Sequence, residues 1–317
     1  MRSLIQQSYP LACLYYLASN FAASLRFRTG LIDTGSGASH LQLAVDQSVR
    51  YVEEVFSEYK QYAQIDRFSG RVAEVGPGDN CGVGLLLLQD GCTSVDLADR
   101  FYAKRNARAQ ASIYAALWRQ NPGLTPFLQA ADLEDETTFK GLTRWYGASA
   151  AAEEFFVAHT GYDFIVSRAV LEHLFDPLLA LGRMAAALNP GGMLIHKIDL
   201  RDHGMFSGHF HELKFLEPGD WLHRQMTRAT GRPNRVLLHQ YRHLLEKTGL
   251  TFDFLVTRLA GVGDIVPHRS YAEIPPGLKE QSLSYVRSIR HRFAPSFRQV
   301  DDEDLCVAGV LVIARKN

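Results

Sequence analysis

Val72-Ala73-Glu74-Val75-Gly76-Pro77-Gly78-Asp79-Asn80 reads as a short buried strand running into a glycine turn, with a helix start behind it. Val72 and Val75 are the β-branched residues that a buried strand favours. Gly76 and Gly78 let the backbone turn sharply and leave room for a ligand to approach with no Cβ in the way. The apolar run Val83 to Leu88 fits a helix packed on a sheet. A helix N-terminus after such a turn presents free N–H groups to a polar or anionic ligand. The dinucleotide pattern G-x-G-x-x-G/A needs a third small residue where Cys81 stands, so it fails by one position. Glu74, two residues before the first glycine, adds an acid at the strand end.

The chain of 317 residues has room for one large α/β domain with additions, and its 46% hydrophobic content supports a packed core. Lysine plus arginine and aspartate plus glutamate number 34 each, so no broad basic surface for nucleic acid is expected. Cys13, Cys81, Cys92 and Cys306 show no C-x-x-C spacing, which points to reduced thiols in a cytoplasmic protein rather than disulfides or zinc. Leu4 to Phe27 is apolar but interrupted by Gln6, Gln7, Ser8, Pro10, Ser19 and Asn20. It falls short of the roughly 20 continuous apolar residues of a membrane span. Residues 1–65 therefore read as an N-terminal helical lid that leaves room for a homodimer contact, the alternative being an amphipathic membrane-surface contact.

Beyond a Gly/Ser/Thr loop (Thr34 to Ala38), His40 to Tyr62 carries helical spacing. A second strand, Thr93 to Ala98, ends in Asp99-Arg100, with Asp96 the competing acid. Asp99 lies about 20 residues past the glycines, where a doubly wound fold places a carboxylate for a ribose hydroxyl pair, although a helix N-cap would use the same residue. Phe101 to Gln120 reads as a helix, and Phe127 to Ala131 as a third strand ending in Asp132-Leu133. Tyr162 to Ser167 forms a fourth strand, followed by Arg168-Ala169-Val170-Leu171-Glu172-His173. Pro190-Gly191-Gly192 turns into a fifth strand, Met193 to Ile198. Asn234 to Thr248 fits a helix, and Thr251 to Val256 and Cys306 to Ala314 fit two closing strands.

This ordered series, E-x-G-x-G, Asp99, Asp132, then Y-D-x-I-x-S-x-x-V-L-E-H, Asp176-Pro177 and Asn189-Pro190-Gly191-Gly192, resembles the class I S-adenosylmethionine-dependent methyltransferases of small molecules over roughly residues 70–200. The resemblance implies an α/β fold: a doubly wound, seven-stranded, mostly parallel Rossmann-like sheet over residues 66–317. The last strand would be antiparallel, with substrate-cap insertions at 199–232 and 258–304. It implies S-adenosyl-L-methionine as cofactor, held by Glu74, Gly76, Gly78, Asp99, Arg100, Asp132, Leu133, Ser167 and Arg168. Asp132 and Leu133 would read the adenine, although Asp132 could equally cap the segment that follows.

Methyl transfer to a hydroxyl needs a general base, most often histidine. Of the twelve histidines, seven fall between His196 and His243, densest in His196-Lys197-Ile198-Asp199-Leu200-Arg201-Asp202-His203 with His209 and His211 beyond. His203 is the first candidate, oriented by Asp199 or Asp202, with His196 and His173 next; a polar surface role is the plainer alternative for each. No H-E-x-x-H or tight ligand spacing appears, so no metal is expected. The N/D-P-P-Y signature of enzymes that methylate amide or exocyclic nitrogens is absent where Ser167-Arg168-Ala169-Val170 stands. The expectation is O-methylation of a small metabolite, sugar or natural-product intermediate. The alternatives are N-methylation of an amine by proximity and a non-catalytic partner that retains the fold.

Overall fold

The computed structural model describes residues 7–35, 37–206 and 210–317, so the readings on Leu4, Gln6, Ser36 and His209 lie outside it. Its centre is an eight-stranded mixed sheet in the order β5-β3-β2-β6-β7-β10-β8-β9. These strands are β2 (Gly70–Val75), β3 (Cys92–Asp99), β5 (Leu142–Tyr146), β6 (Tyr162–Arg168), β7 (Leu188–Asp199), β8 (Thr251–Leu259), β9 (Gly263–Arg269) and β10 (Val307–Arg315). β5, β3, β2, β6 and β7 run parallel, and β10 inserts antiparallel between β7 and β8. Two-residue strands β1 (Asp33–Thr34) and β4 (Tyr102–Ala103) pair beside this sheet.

Alternation along each strand feeds two cores. Val72, Val166 and Ile195 face α2 (Val45–Ala63), α3 (Gly82–Asp90) and α4 (Ala107–Gln120). Ala73, Ile165 and Leu194 face α5 (Ala152–Ala158), α6 (Pro177–Ala187) and α8 (Leu238–Glu246). This is the doubly wound arrangement that the sequence implies, with one strand more. The extra strand, β9, comes from the 258–304 insertion and pairs antiparallel with β8. Pro267 argues against a central strand, but β9 is the sheet edge, where a missing N–H costs nothing.

The third strand lies elsewhere than expected. Thr125–Leu128 is a short helix with proline in its first turn, a position that starts a helix rather than a strand, and the strand itself is Leu142–Tyr146. Asp132 and Leu133 therefore precede the strand instead of ending it, and Asp132 is an exposed turn residue accepting from Glu134 N at 2.9 Å.

The expected lid, residues 1–65, also divides. α2 belongs to the sheet's helical layer through Val49, Val52, Val55 and Tyr59. α1 (Tyr9–Arg28) instead lies on α7 (Asp220–Thr227) and buries Ala12, Cys13, Tyr16 and Asn20. Its anchors are polar: Tyr16 Oη donates to Met205 O, Asn20 Oδ1 accepts from Ala229 N at 2.7 Å, and the Arg232 guanidinium sits 4.2 Å from the Tyr16 ring centre. Leu11, Leu14, Phe21 and Leu25 point outward. Among the described residues no helix is long and apolar enough to cross a membrane.

Candidate functional site at the carboxyl ends of β2, β6 and β7

The glycine turn that follows β2 is built around absent side chains. Gly76 and Gly78 have φ of +70° and +68°. A Cβ on Gly76 would come within 2.5 Å of Val170 Cγ2, and one on Gly78 within 2.7 Å of Gly37 O. The approach of Gly37 is itself a finding: Asp79 N donates to Gly37 O at 3.0 Å, so the segment before α2 lies across the turn. His40 N also reaches Asp79 Oδ1 at 3.4 Å.

Beneath the turn sits Glu74, buried, with no hydrogen-bond partner on Oε2. Burial pushes its carboxyl up to about 8, and the Arg144 guanidinium offsets this only in part. Arg144 is engaged elsewhere, with Glu136 at 2.7 Å and with Gly78 O. A small cavity of about 60 Å³ opens beside Glu74, walled by His40, Tyr51, Tyr59, Gly76 and Arg168. At the end of β3, burial raises the Asp99 carboxyl to about 6, while the Phe101 N–H at 2.9 Å and Arg144 lower it.

The other expected cofactor residues fall in different places. Arg100 pairs with Glu153 at 3.1 Å and stacks 4.4 Å from the Phe175 ring centre. Ser167 is wholly buried, its hydroxyl 2.8 Å from His196 Nδ1. Arg168 lines the Glu74 cavity. Asp132 and Leu133 are not brought to the turn, because the strand they were expected to end does not exist there.

The expected catalytic set also separates. His196 lies inside the sheet, paired across to Val312 and fully buried, and desolvation drops its ring to about 3. It is a neutral interior histidine with no route to a solvent-borne acceptor. The other three gather where β6 and β7 end. His203 Nε2 lies 3.3 Å from Glu172 Oε1 and 3.4 Å from Asp199 Oδ2, and its ring packs edge-on to His173 at 4.6 Å. Burial lowers the His203 pKa, but the Glu172 and Asp199 carboxylates overcome it and hold the ring above its ordinary value. His173 shifts the other way, because burial outweighs the same carboxylates. Asp199 is kept low: its burial is overcome by Arg201, at 2.6 Å, and by His203. His203 adopts φ of +47°, a left-handed conformation that costs a non-glycine residue energy and recurs at functional sites. Asp202, the alternative orienting partner, caps its own loop through Gly204 N and Phe206 N. Glu172, His173 and His203 each present a ligand atom within 4.8 Å of the others, close enough to share a cation. The His203 ion pair already uses two of them.

Next to this cluster a cavity of about 630 Å³ opens, bounded by α2, the ends of β6 and β7, and the β8–β9 pair. Arg168, Lys197 and Asp199 line it with Glu58, Tyr62 and His268. The sequence marked Arg168 and Asp199. It did not mark Glu58, Tyr62, Lys197 or His268, because a carboxylate and a phenol four residues apart on α2 look like any solvated helix face. Gly37 and His40 were hidden likewise, since a loop that folds back onto a distant turn leaves no local spacing.

The chain matches the methyltransferase domain family over residues 48–253. No curated protein matches it in sequence. Among solved structures it is similar to a protein assigned as a sarcosine dimethylglycine methyltransferase from Galdieria sulphuraria, with 17% identity, 94% of this chain and 98% of that one covered, and a TM-score of 0.44. It is also similar to an S-adenosylmethionine-dependent methyltransferase from Mesorhizobium loti, with 12% identity, 84% and 100% coverage, and a TM-score of 0.42. A third is phosphoethanolamine N-methyltransferase 2 of Haemonchus contortus in complex with S-adenosyl-L-methionine, with 14% identity, 83% of this chain and 52% of that one covered, and a TM-score of 0.42.

Proposed function

The chain belongs to the class I S-adenosylmethionine-dependent methyltransferases, and from that premise we propose that it methylates a hydroxyl of a small metabolite, with His203 as the general base. The observation that carries this reading is His203 suspended between two carboxylates at the strand ends, its pKa raised.

The residues at the glycine turn fit the cofactor. Glu74 is a buried carboxylate lacking a donor on one oxygen, and an ammonium such as the one on the methionine end of S-adenosylmethionine would satisfy it. Gly76 and Gly78 keep the backbone open to a close approach. Asp99, whose carboxylate accepts from the backbone N–H groups of Phe101 and Arg100, would accept further from the ribose hydroxyl pair. The chemistry that the cofactor supplies when bound is an electrophilic methyl on a sulfonium.

The protein's part is to hold the acceptor oxygen in line and take its proton. The neutral His203 ring, its Nε2–H turned to the two carboxylates, would accept that proton at Nδ1. Glu172 and Asp199 then stabilise the imidazolium formed, as carboxylates do for a catalytic histidine. His173, packed against the His203 ring, limits its orientation and is a positioning residue in this reading.

Methyl transfer from labelled cofactor to paired hydroxyl and amine acceptors, by wild type and the His203→Ala and His203→Gln variants, tests the reading. Hydroxyl methylation that falls roughly 100-fold or more in both variants is expected for loss of a general base. Amine methylation indifferent to His203 would replace this reading with transfer by proximity.

A further inference from the structure

We propose that the acceptor carries an anionic group, a carboxylate or a phosphate, held in the cavity at the ends of β6 and β7 by Arg168 and Lys197. This rests on the methyl-transfer reading above. The cavity, at about 630 Å³, has the size of a metabolite site. Its cations are not matched one to one by acids. Arg168 Nε lies 3.3 Å from Glu58 and Lys197 Nζ 3.2 Å from the same carboxylate, so two full positive charges share one negative charge. Arg168 Nη1 is buried without a hydrogen-bond partner, the guanidinium lying 5.4 Å from the Tyr51 ring centre. A guanidinium N–H hidden from water with no acceptor is costly, and an incoming oxyanion would satisfy it while neutralising the second charge.

The neighbouring groups favour the same ligand. Tyr62 Oη lies 3.4 Å from Lys197 Nζ and 2.8 Å from His268 Nε2, which places further hydrogen-bonding groups on that wall. The nearest other cations, Arg201 and Arg258, are each taken up by acids, Asp199 at 2.6 Å and Asp264 at 2.6 Å. The surplus is therefore local to Arg168 and Lys197. Arg168 also borders the Glu74 cavity, and Asp199, on the same wall as Lys197, touches His203. An anion anchored between them would fix the remainder of the molecule between the cofactor seat and the base.

The test is calorimetric titration of protein saturated with S-adenosylhomocysteine. Two matched probe pairs serve, 4-hydroxybenzoate against phenol and glycerol 3-phosphate against glycerol, and they also separate carboxylate from phosphate. At least one anion should bind tenfold or more tighter than its neutral mate, with Lys197→Gln weakening it by roughly tenfold. Glu58→Gln, which removes the competing carboxylate, should tighten it, and this opposite sign excludes a general loss of fold. S-adenosylhomocysteine affinity should be the same in both variants. Neutral probes that bind as well as the anions, or anion binding indifferent to Lys197→Gln and Glu58→Gln, would overturn the proposal. Failure of S-adenosylhomocysteine to bind wild type would count against the methyl-transfer reading instead, and the anion series on the free protein would still decide this one.

Discussion

A carboxylate buried beside a glycine turn, with one oxygen lacking any donor, must be protonated or wait for a cation. Glu74 is in that position, and its carboxyl is pushed up to about 8. His203 is the converse case, a histidine whose two carboxylate neighbours favour the charged form. Since a base must be neutral to accept a proton, kcat/KM for hydroxyl methylation should rise with pH through a midpoint above the ordinary histidine value of about 6.5. Asp199→Asn should move that midpoint down and leave a flatter profile at low pH; a midpoint unmoved by Asp199→Asn would detach His203 from it. Activity should also survive exhaustive chelation, because Glu172 and His203 are already paired with each other. Metal-dependent activity would instead assign Glu172, His173 and His203 as ligands. At this scale the sequence disclosed what local spacing can disclose. Glu74, Asp99 and His203 stand at strand ends, and His196 deceived because alternation along β7 turns it into the interior.

The glycine turn works as part of a larger element, since the segment through Gly37 and His40 closes over it. Gly78→Ala should therefore injure two things together. Its φ of +68° is strained for a side chain, and its Cβ would press on the Gly37 carbonyl, which is backbone and cannot swing aside. Thermal denaturation should show a loss of roughly 1–3 kcal/mol, with cofactor affinity falling in parallel. An unaltered affinity would remove the Gly37 segment from the cofactor seat. β2 was legible because its β-branched residues Val72 and Val75 stop at Gly76. β5 was not, because its inward position Arg144 is a charged residue whose burial depends on Glu136, Gly78 and Cys81, none of them adjacent in sequence. β9 was masked by Pro267, which only its edge location makes acceptable.

The whole molecule carries no net charge, with 34 basic and 34 acidic side chains, so what electrostatic selectivity it has must be local. Four of the five parallel strands could be read from the ordered motifs, whereas α1's seat on α7 could not, since Tyr16, Asn20 and Arg232 meet through partners some 190 to 210 residues away. Stability should report the buried acids. A carboxyl whose folded pKa lies above its unfolded value stabilises the fold below the unfolded value and loses that contribution as pH rises through the folded one. For Glu74 the loss runs from about 4 to about 8. Between about pH 7 and 8 the unliganded Tm should therefore fall, and Glu74→Gln should flatten the fall, leaving the part that His203 contributes, since its ring too is held above its ordinary value. An identical slope in the variant would mean that Glu74 does not titrate in that window.

The most direct measurement is calorimetric titration of the wild type and of Glu74→Gln with S-adenosylmethionine at about pH 7, in buffers of differing ionisation enthalpy. Glu74, protonated in the free protein, should ionise against the ligand's ammonium. Wild type should thus bind at micromolar levels and release close to one proton, and Glu74→Gln should bind more weakly and release none. Absence of binding, or binding with no proton released and no change in Glu74→Gln, would contradict the account of this turn as the cofactor seat.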